Sequence, residues 1–131
     1  MNRQSGERWV AVAAVVEMVT GLVLLIYPPL FGCLLFGAAL SDAGQALGRL
    51  AGIALLALAL ACWPGLAERK SSARALILFS LLSAIYLLYL GVGSGPVGIL
   101  LWPAAALHAA LTILLVWTWL TVHQAPADHP D

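Results

Sequence analysis

Four long apolar runs, separated by proline, glycine and charged residues, dominate this chain of 131 residues. Each run holds about 20 residues, the length at which an α-helix rising ~1.5 Å per residue crosses the ~30 Å hydrocarbon core of a bilayer. The runs cover residues 9–27, 43–63, 73–90 and 99–121. We therefore predict an all-α, polytopic membrane protein built as a bundle of four transmembrane helices.

The ends of the first two runs carry helix-stopping and helix-starting signals. Pro28–Pro29 ends the first run, and Pro64–Gly65 ends the second. Ser41 and Asp42 are candidate N-caps of the second run, and Gln45 stands three residues after Asp42, the spacing of a capping pair. These signals predict a second helix that begins close to residue 43.

The segment 30–40, between the first two runs, is apolar but too short to cross a bilayer. Gly32 and Gly37 interrupt it. A segment of about eleven apolar residues fits either a half-helix of its own or a bent extension of the second span. Both alternatives stay open, and in either one we expect the segment to lie near the membrane interface.

Basic residues predict the orientation of the bundle. Arg3 and Arg8 precede the first span, and Arg69, Lys70 and Arg74 lie between the second and third spans. By the positive-inside rule, the N-terminus, the middle loop and the C-terminus face the cytoplasm. Large aromatic residues then form two belts, an inner one of Trp9, Trp63, Trp117 and Trp119 and an outer one of Tyr27, Tyr86, Tyr89 and Trp102.

The two ends of the chain are interpreted differently. The first run is longer than the apolar core of a signal peptide and carries Glu17 at its centre, so we expect it to be retained as a helix. The last segment, 123–131, is polar and contains two prolines. We expect this tail to be disordered.

Charge, cysteine content and missing motifs exclude several functional classes. The 6 Lys+Arg residues balance the 6 Asp+Glu residues, which leaves no basic surface for nucleic acid. Cys33 and Cys62 fall on opposite sides of the predicted membrane, and the motifs of hydrolases, nucleotide-binding loops and zinc sites are missing. The sequence therefore predicts no nucleic-acid partner, no metal, no cofactor and no enzymatic activity.

Glu17 is the residue that a bilayer tolerates least. It lies about 15 Å from either end of the first span, and a charge at that depth costs more than ~2.5 kcal/mol unless it has a partner or a watery cavity. Its neighbours on the same helix face, Ala13, Thr20 and Gly21, are small. This pattern predicts that the Glu17 face packs against another helix.

Other polar residues lie at comparable depth in the remaining spans. Arg49 lies about 10 Å inside the outer end of the second span and shares a helix face with two more polar residues. The predicted intramembrane polar cluster consists of Glu17, Arg49, His108, Tyr86, Gln45 and Asp42. Within it we expect an ion pair between Glu17 and Arg49.

Two interpretations of this cluster stay open. In the first, Glu17 pairs with Arg49 while His108 and Tyr86 hydrogen-bond around them, lining an outward-facing pocket or a proton path. In the second, the ion pair only fixes the helix register, and His108 is satisfied by Thr112 or by a backbone carbonyl.

Gly44, Gly48 and Gly52 recur at every fourth position of the second span. Small residues at this spacing let two helix backbones approach closely, which favours helix association in lipid. Their partner is either the first span of the same chain or a second copy of the protein, and both readings stay open.

Three stretches of the first half carry a family resemblance: residues 21–28 (Gly-Leu-Val-Leu-Leu-Ile-Tyr-Pro), 34–37 (Leu-Leu-Phe-Gly) and 47–56 (Leu-Gly-Arg-Leu-Ala-Gly-Ile-Ala-Leu-Leu). Together they resemble small four-helix bacterial inner-membrane proteins of the DoxX-like type. The resemblance implies a four-helix architecture in a bacterial cytoplasmic membrane, in families that include accessory subunits of membrane redox systems. It implies no ligand motif.

The leading functional hypothesis is a non-enzymatic accessory or structural subunit of a bacterial cytoplasmic-membrane system. Its surroundings are the lipid bilayer and either further copies of itself or a larger membrane complex. The alternative is a small transporter or proton-coupled carrier that uses Glu17, Arg49 and His108. A quinone-linked redox subunit is the third hypothesis.

Overall fold

The computed structural model describes residues 3–64, 69–93 and 95–123, which are helical apart from short connections. The elements are α1 Arg3–Ile26, α2 Pro28–Phe31, a π-helical turn Gly32–Phe36, α3 Asp42–Ala61, α4 Arg69–Val92 and α5 Leu101–His123. Four of them, α1, α3, α4 and α5, are long and apolar enough to cross a membrane. Within these residues, the predicted all-α fold with four helices able to span a membrane is confirmed. Residues 124–131 of the predicted disordered tail lie outside the described residues.

The start of α3 is set by Ser41. The Ser41 hydroxyl accepts a hydrogen bond from the backbone N–H of Gly44 at 3.2 Å, as an N-cap does. Asp42 is already the first helical residue. The Gln45 side chain donates instead to the carbonyl of Leu40 at 3.3 Å. The predicted Asp42–Gln45 capping pair is therefore wrong, because the helix begins one residue earlier than that pairing needs.

Residues 28–36 form a separate short helix between α1 and α3, which we call the plug helix. Gly37 ends it with φ 67°, a left-handed conformation that glycine adopts without a steric penalty. The backbone N–H of Gly98 donates to the carbonyl of Leu35 at 3.0 Å. The backbone N–H of Leu100 donates to the carbonyl of Leu34 at 2.8 Å. The connection before α5 thus satisfies carbonyls that the last turn of the plug helix leaves free. Of the two alternatives for this segment, the half-helix is the one that forms.

The four long helices form two antiparallel hairpins, α1 with α3 and α4 with α5. The hairpins meet mainly through α1 and α5, whereas α3 and α4 make far fewer contacts with each other. We call the end that holds the start of α1 the proximal end, and the end that holds the plug helix the distal end. The seam between the hairpins is consequently closed along one side and loose along the other.

Glycines bring α1 and α3 together. A Cβ atom at Gly52 would lie 2.6 Å from the carbonyl oxygen of Gly21, closer than real Cβ atoms approach anything. A Cβ atom at Gly48 would lie 3.3 Å from the Cβ of Pro28, whereas Gly44 faces Ser41 in its own first turn. Gly48 and Gly52 therefore pack against residues of the same chain.

The largest core lies in the proximal half, where all four long helices contribute. Its apolar side chains are at most 9% exposed: Val10, Ala13, Cys62, Ala73, Leu76, Leu111 and Leu115. At the edge of this core, the Arg74 guanidinium lies 5.8 Å from the centre of the Trp119 ring, a cation–π distance. A smaller cluster in the distal half, Leu35, Leu87 and Ala105, seats the plug helix against α4 and α5.

Candidate functional site

A cavity of about 560 Å³ lies between the proximal core and the plug helix. Side chains of all four long helices line it, and most of them are apolar. Glu17 of α1 and His108 of α5 form its proximal floor, while Phe31 and Phe36 of the plug helix form its distal roof. Its volume falls within the ~300–1,000 Å³ of small-molecule sites. We call it the bundle cavity.

Glu17 and His108 face each other at the floor of the bundle cavity. Glu17 is 1% exposed, and its Oε1 atom lies 3.9 Å from Nδ1 of His108. This separation is short enough for an ion pair but too long for a hydrogen bond, and neither atom has a hydrogen-bond partner within the described ranges. A buried polar atom without a hydrogen bond costs about 1–3 kcal/mol. The floor of the cavity therefore contains two buried polar atoms without a hydrogen bond.

Three hydroxyl-bearing residues share the cavity with this pair, and one aromatic ring contacts His108. Thr20 of α1 and Ser83 and Tyr86 of α4 line the same cavity. The ring of Phe79 meets the imidazole of His108 edge-on, with centroids 6.1 Å apart. Polar side chains are thus few in the lining of a largely apolar space, as in small-molecule binding sites.

The structure places three members of the predicted polar cluster together and three apart. Glu17, His108 and Tyr86 line the bundle cavity, whereas Arg49, Gln45 and Asp42 do not. Asp42 and Arg49 are exposed on α3, nearer its distal end. The cluster that the sequence predicted is therefore split between a cavity and the outer surface of one helix.

The predicted ion pair between Glu17 and Arg49 is wrong, because the register of the α1–α3 hairpin separates them. Gly52 lies opposite Gly21, so an antiparallel neighbour of Glu17 is found near Leu56. Arg49 is seven residues from Leu56, or about 10 Å along the helix axis. Among the described residues, the ion-pair partner of Glu17 is His108.

The hydrogen bonding of His108 also differs from what the second interpretation of the cluster predicts. The Thr112 hydroxyl donates to the backbone carbonyl of His108 at 2.8 Å, not to the imidazole. This bond lies within one helical turn, where threonine hydroxyls commonly bond the carbonyl four residues earlier. The imidazole Nδ1 consequently stays unbonded in the part of the chain that the structure describes.

The roof and one wall of the cavity were not predicted from the sequence. Phe31 and Phe36 meet edge-on, with ring centroids 6.1 Å apart, and both face the cavity, as Phe79 does. The signal that could have found the first two is their position in an apolar segment too short to span a bilayer. Such a segment must cover something apolar, and here it covers the distal opening of the bundle.

The chemistry of the site is limited by its residues. Within the described ranges, no three His, Cys, Asp or Glu side chains lie close enough to hold a metal ion. One carboxyl and one imidazole in an apolar cavity can exchange a proton or hydrogen-bond a neutral group.

Comparison with protein-family models, curated proteins and solved structures finds no match to this chain.

Proposed function

We propose that this chain is a non-enzymatic accessory or structural subunit of a bacterial cytoplasmic-membrane system. The observation that carries the proposal is the solid proximal core. Side chains of four helices fill that half of the bundle, and Leu76 and Leu115 are 0% exposed. A carrier has to open its central site to each aqueous side in turn, so it would have to separate the tightly packed side chains of the proximal core in every cycle.

The orientation belongs to the same proposal. The positively charged residues at the start of α1 and between α3 and α4 support a cytoplasmic proximal end by the positive-inside rule. The bundle cavity then lies in the outer half of the bilayer. The resemblance to DoxX-like proteins adds an accessory role in a bacterial inner membrane, with further copies or a larger complex as partner.

Isolation from native membranes tests the accessory role. The tagged full chain, extracted gently after cross-linking of whole cells, is expected to carry a membrane partner at a fixed ratio. A tagged, unrelated four-helix protein at equal abundance is the control for chance capture. Recovery of the chain alone, in amounts no different from the control, contradicts the proposal.

A proton-coupled carrier is the second candidate, and the Glu17–His108 pair favours it because buried ionisable groups in spanning helices often belong to proton paths. Proton flux is measured in sealed vesicles that contain a pH-sensitive dye. The accessory role predicts that vesicles with the wild-type chain or with Glu17→Gln leak protons no faster than empty vesicles. Proton flux in the wild type that Glu17→Gln abolishes establishes the carrier instead.

A further inference from the structure

We propose that the bundle cavity binds a neutral amphiphile whose head is a single hydroxyl group, a lipophilic phenol or long-chain alcohol taken from the bilayer. The hydroxyl lies between Glu17 and His108, and the apolar body extends toward the plug helix. This inference goes beyond the accessory role, since it concerns a ligand of the isolated chain.

The floor of the cavity has the geometry for one oxygen atom. Glu17 Oε1 and His108 Nδ1 are 3.9 Å apart, and each is buried without a hydrogen-bond partner among the residues described. An oxygen placed about 2.8 Å from both atoms makes two hydrogen bonds at an angle of roughly 90° between them. The pair is therefore too far apart to form a direct hydrogen bond, and its spacing suits one shared guest oxygen, which reaches both buried atoms when the side chains that cover them move aside.

A hydroxyl suits this position better than other polar heads. It both donates and accepts, so it can donate to a carboxylate while accepting from the imidazole N–H, or the reverse when the proton lies on the carboxyl group. A carbonyl only accepts and an ammonium only donates. The head is also neutral, because a charged head would add the cost of a further ion inside the bilayer.

The rest of the cavity suits an apolar body. Above Glu17 and His108 the lining is largely aliphatic and aromatic, closed at the distal end by Phe31 and Phe36. The cavity volume of about 560 Å³ exceeds what the hydroxyl alone needs. A ligand of one ring and a short alkyl chain, or of one longer chain, is the class that covers these walls.

The loose seam between α3 and α4 gives the ligand its route. Ala51 and Ala54 of α3 and Tyr86 of α4 line the cavity and are exposed. Both helices are long and apolar enough to span a membrane, so the gap between them faces acyl chains. A lipophilic molecule can move from the bilayer into the cavity without crossing water.

Photo-crosslinking tests the proposal. The full-length protein in phosphatidylcholine nanodiscs is irradiated with a 4-alkylphenol that carries a diazirine on its alkyl chain, and in parallel with the alkylbenzene that lacks only the hydroxyl. We expect saturable labelling by the phenol, with an affinity about tenfold above that of the alkylbenzene. Labelled peptides are expected to come from the cavity walls.

Two matched substitutions locate the route. Ala54→Trp fills the gap between α3 and α4, whereas Ala57→Trp adds the same bulk at an exposed position of α3 outside the cavity lining. Ala54→Trp is expected to lower phenol labelling at least tenfold and Ala57→Trp to leave it unchanged. Circular dichroism and size-exclusion profiles verify that both variants are folded.

A third variant tests the hydroxyl position. Glu17→Leu keeps a side chain of similar size in the floor but removes its carboxyl group. It is expected to remove the preference for phenol over alkylbenzene. Non-saturable labelling by both compounds shows that acyl chains fill the cavity and overturns the proposal. Equal saturable labelling by both compounds overturns the hydroxyl assignment, as expected if a water bridges Glu17 and His108. Equal inhibition by both tryptophan variants overturns the route.

Discussion

The proximal and distal halves of the bundle are built from the same four helices, yet one is solid and the other is hollow. In the proximal half, small residues such as Ala13 and Ala73 let leucines from facing helices interlock. In the distal half, the plug helix seats against α4 and α5, and the bundle cavity opens between it and the floor. Acyl chains are as apolar as leucine, so the hydrophobic effect does not drive helices together inside a bilayer. The two halves therefore show that side chains close the space between helices only where their shapes fit.

The two sides of the hairpin seam repeat this contrast. On the closed side, α1 and α5 place Glu17 and His108 in contact. On the loose side, α3 turns its glycines toward α1, which leaves exposed alanines beside α4. Close packing within the first hairpin therefore uses the glycines of α3. The side of α3 that faces α4 is left with small alanines at the rim of the cavity.

Gly52→Leu is expected to break the first hairpin and to give the largest effect. Its side chain would meet the backbone of α1 at Gly21, which has no flexible atoms to move aside. We expect the free energy of unfolding, measured by circular dichroism in a denaturing-detergent titration, to fall by about 3 kcal/mol or more.

Gly44→Ala is the control for this experiment. Gly44 lies in the first turn of α3, and an added Cβ would meet atoms of its own cap at 3.3 Å and beyond. Replacing a helical glycine by alanine is expected to change stability by less than about 1 kcal/mol. Equal stability of Gly52→Leu and Gly44→Ala would falsify the close approach of α1 and α3.

Leu115→Ala and Leu107→Ala compare the two halves along one helix. Leu115 is fully buried in the proximal core, whereas Leu107 lines the bundle cavity. Truncation at Leu115 opens a new void and is expected to cost about 2 kcal/mol, the low end for a buried leucine because the unfolded chain stays in an apolar solvent. Truncation at Leu107 enlarges an existing void and is expected to cost less than about 0.5 kcal/mol. Similar losses at both positions would show that the distal half is packed as well.

Much of the architecture could be predicted from the sequence because apolar length and helix-breaking residues act locally. Four apolar runs gave the four spans. Pro28–Pro29 marks the end of the first span, and Ser41 marks the start of the second. The partner of Glu17 could not be predicted in the same way. It depends on the register between two helices, and the contact of Gly52 with Gly21 sets that register. The spacing of residues within one helix does not reveal it.

One interpretation of the polar cluster included an outward-facing pocket, but the walls and the volume of the cavity could not be predicted, for a related reason. A void results from the placement of whole elements, here the plug helix beside α4 and α5, and no residue pattern encodes its volume. Glu17 and His108 were nonetheless found as candidates, because polar groups at membrane depth are costly wherever their partners lie. Chemistry was thus predictable from single residues, and geometry was not.

Glu17→Leu separates a structural role of the floor from a binding role. A residue that fixes helix register lowers stability when it is removed. Glu17 Oε1, however, has no hydrogen-bond partner in the described structure, so an apolar side chain of similar size removes an unmet polar atom. We expect the free energy of unfolding to rise by about 1 kcal/mol. A fall of the same size would assign Glu17 to the packing of the bundle.

Ser80→Ala and Thr118→Val give the smallest expected effects and test whether hydroxyls hold the solid half together. Ser80 is fully buried and its hydroxyl has no partner in the described part of the chain, whereas the Thr118 hydroxyl donates to the carbonyl of Leu115 at 2.9 Å. We expect Ser80→Ala to be neutral or slightly stabilising and Thr118→Val to cost about 0.5 kcal/mol, since hydrogen bonds inside membrane bundles contribute little. The same detergent titration measures both. A loss above about 1.5 kcal/mol for Ser80→Ala would mean that a polar group meets Ser80 in the proximal half, and the solid half would then owe its stability to hydrogen bonding as well as to packing.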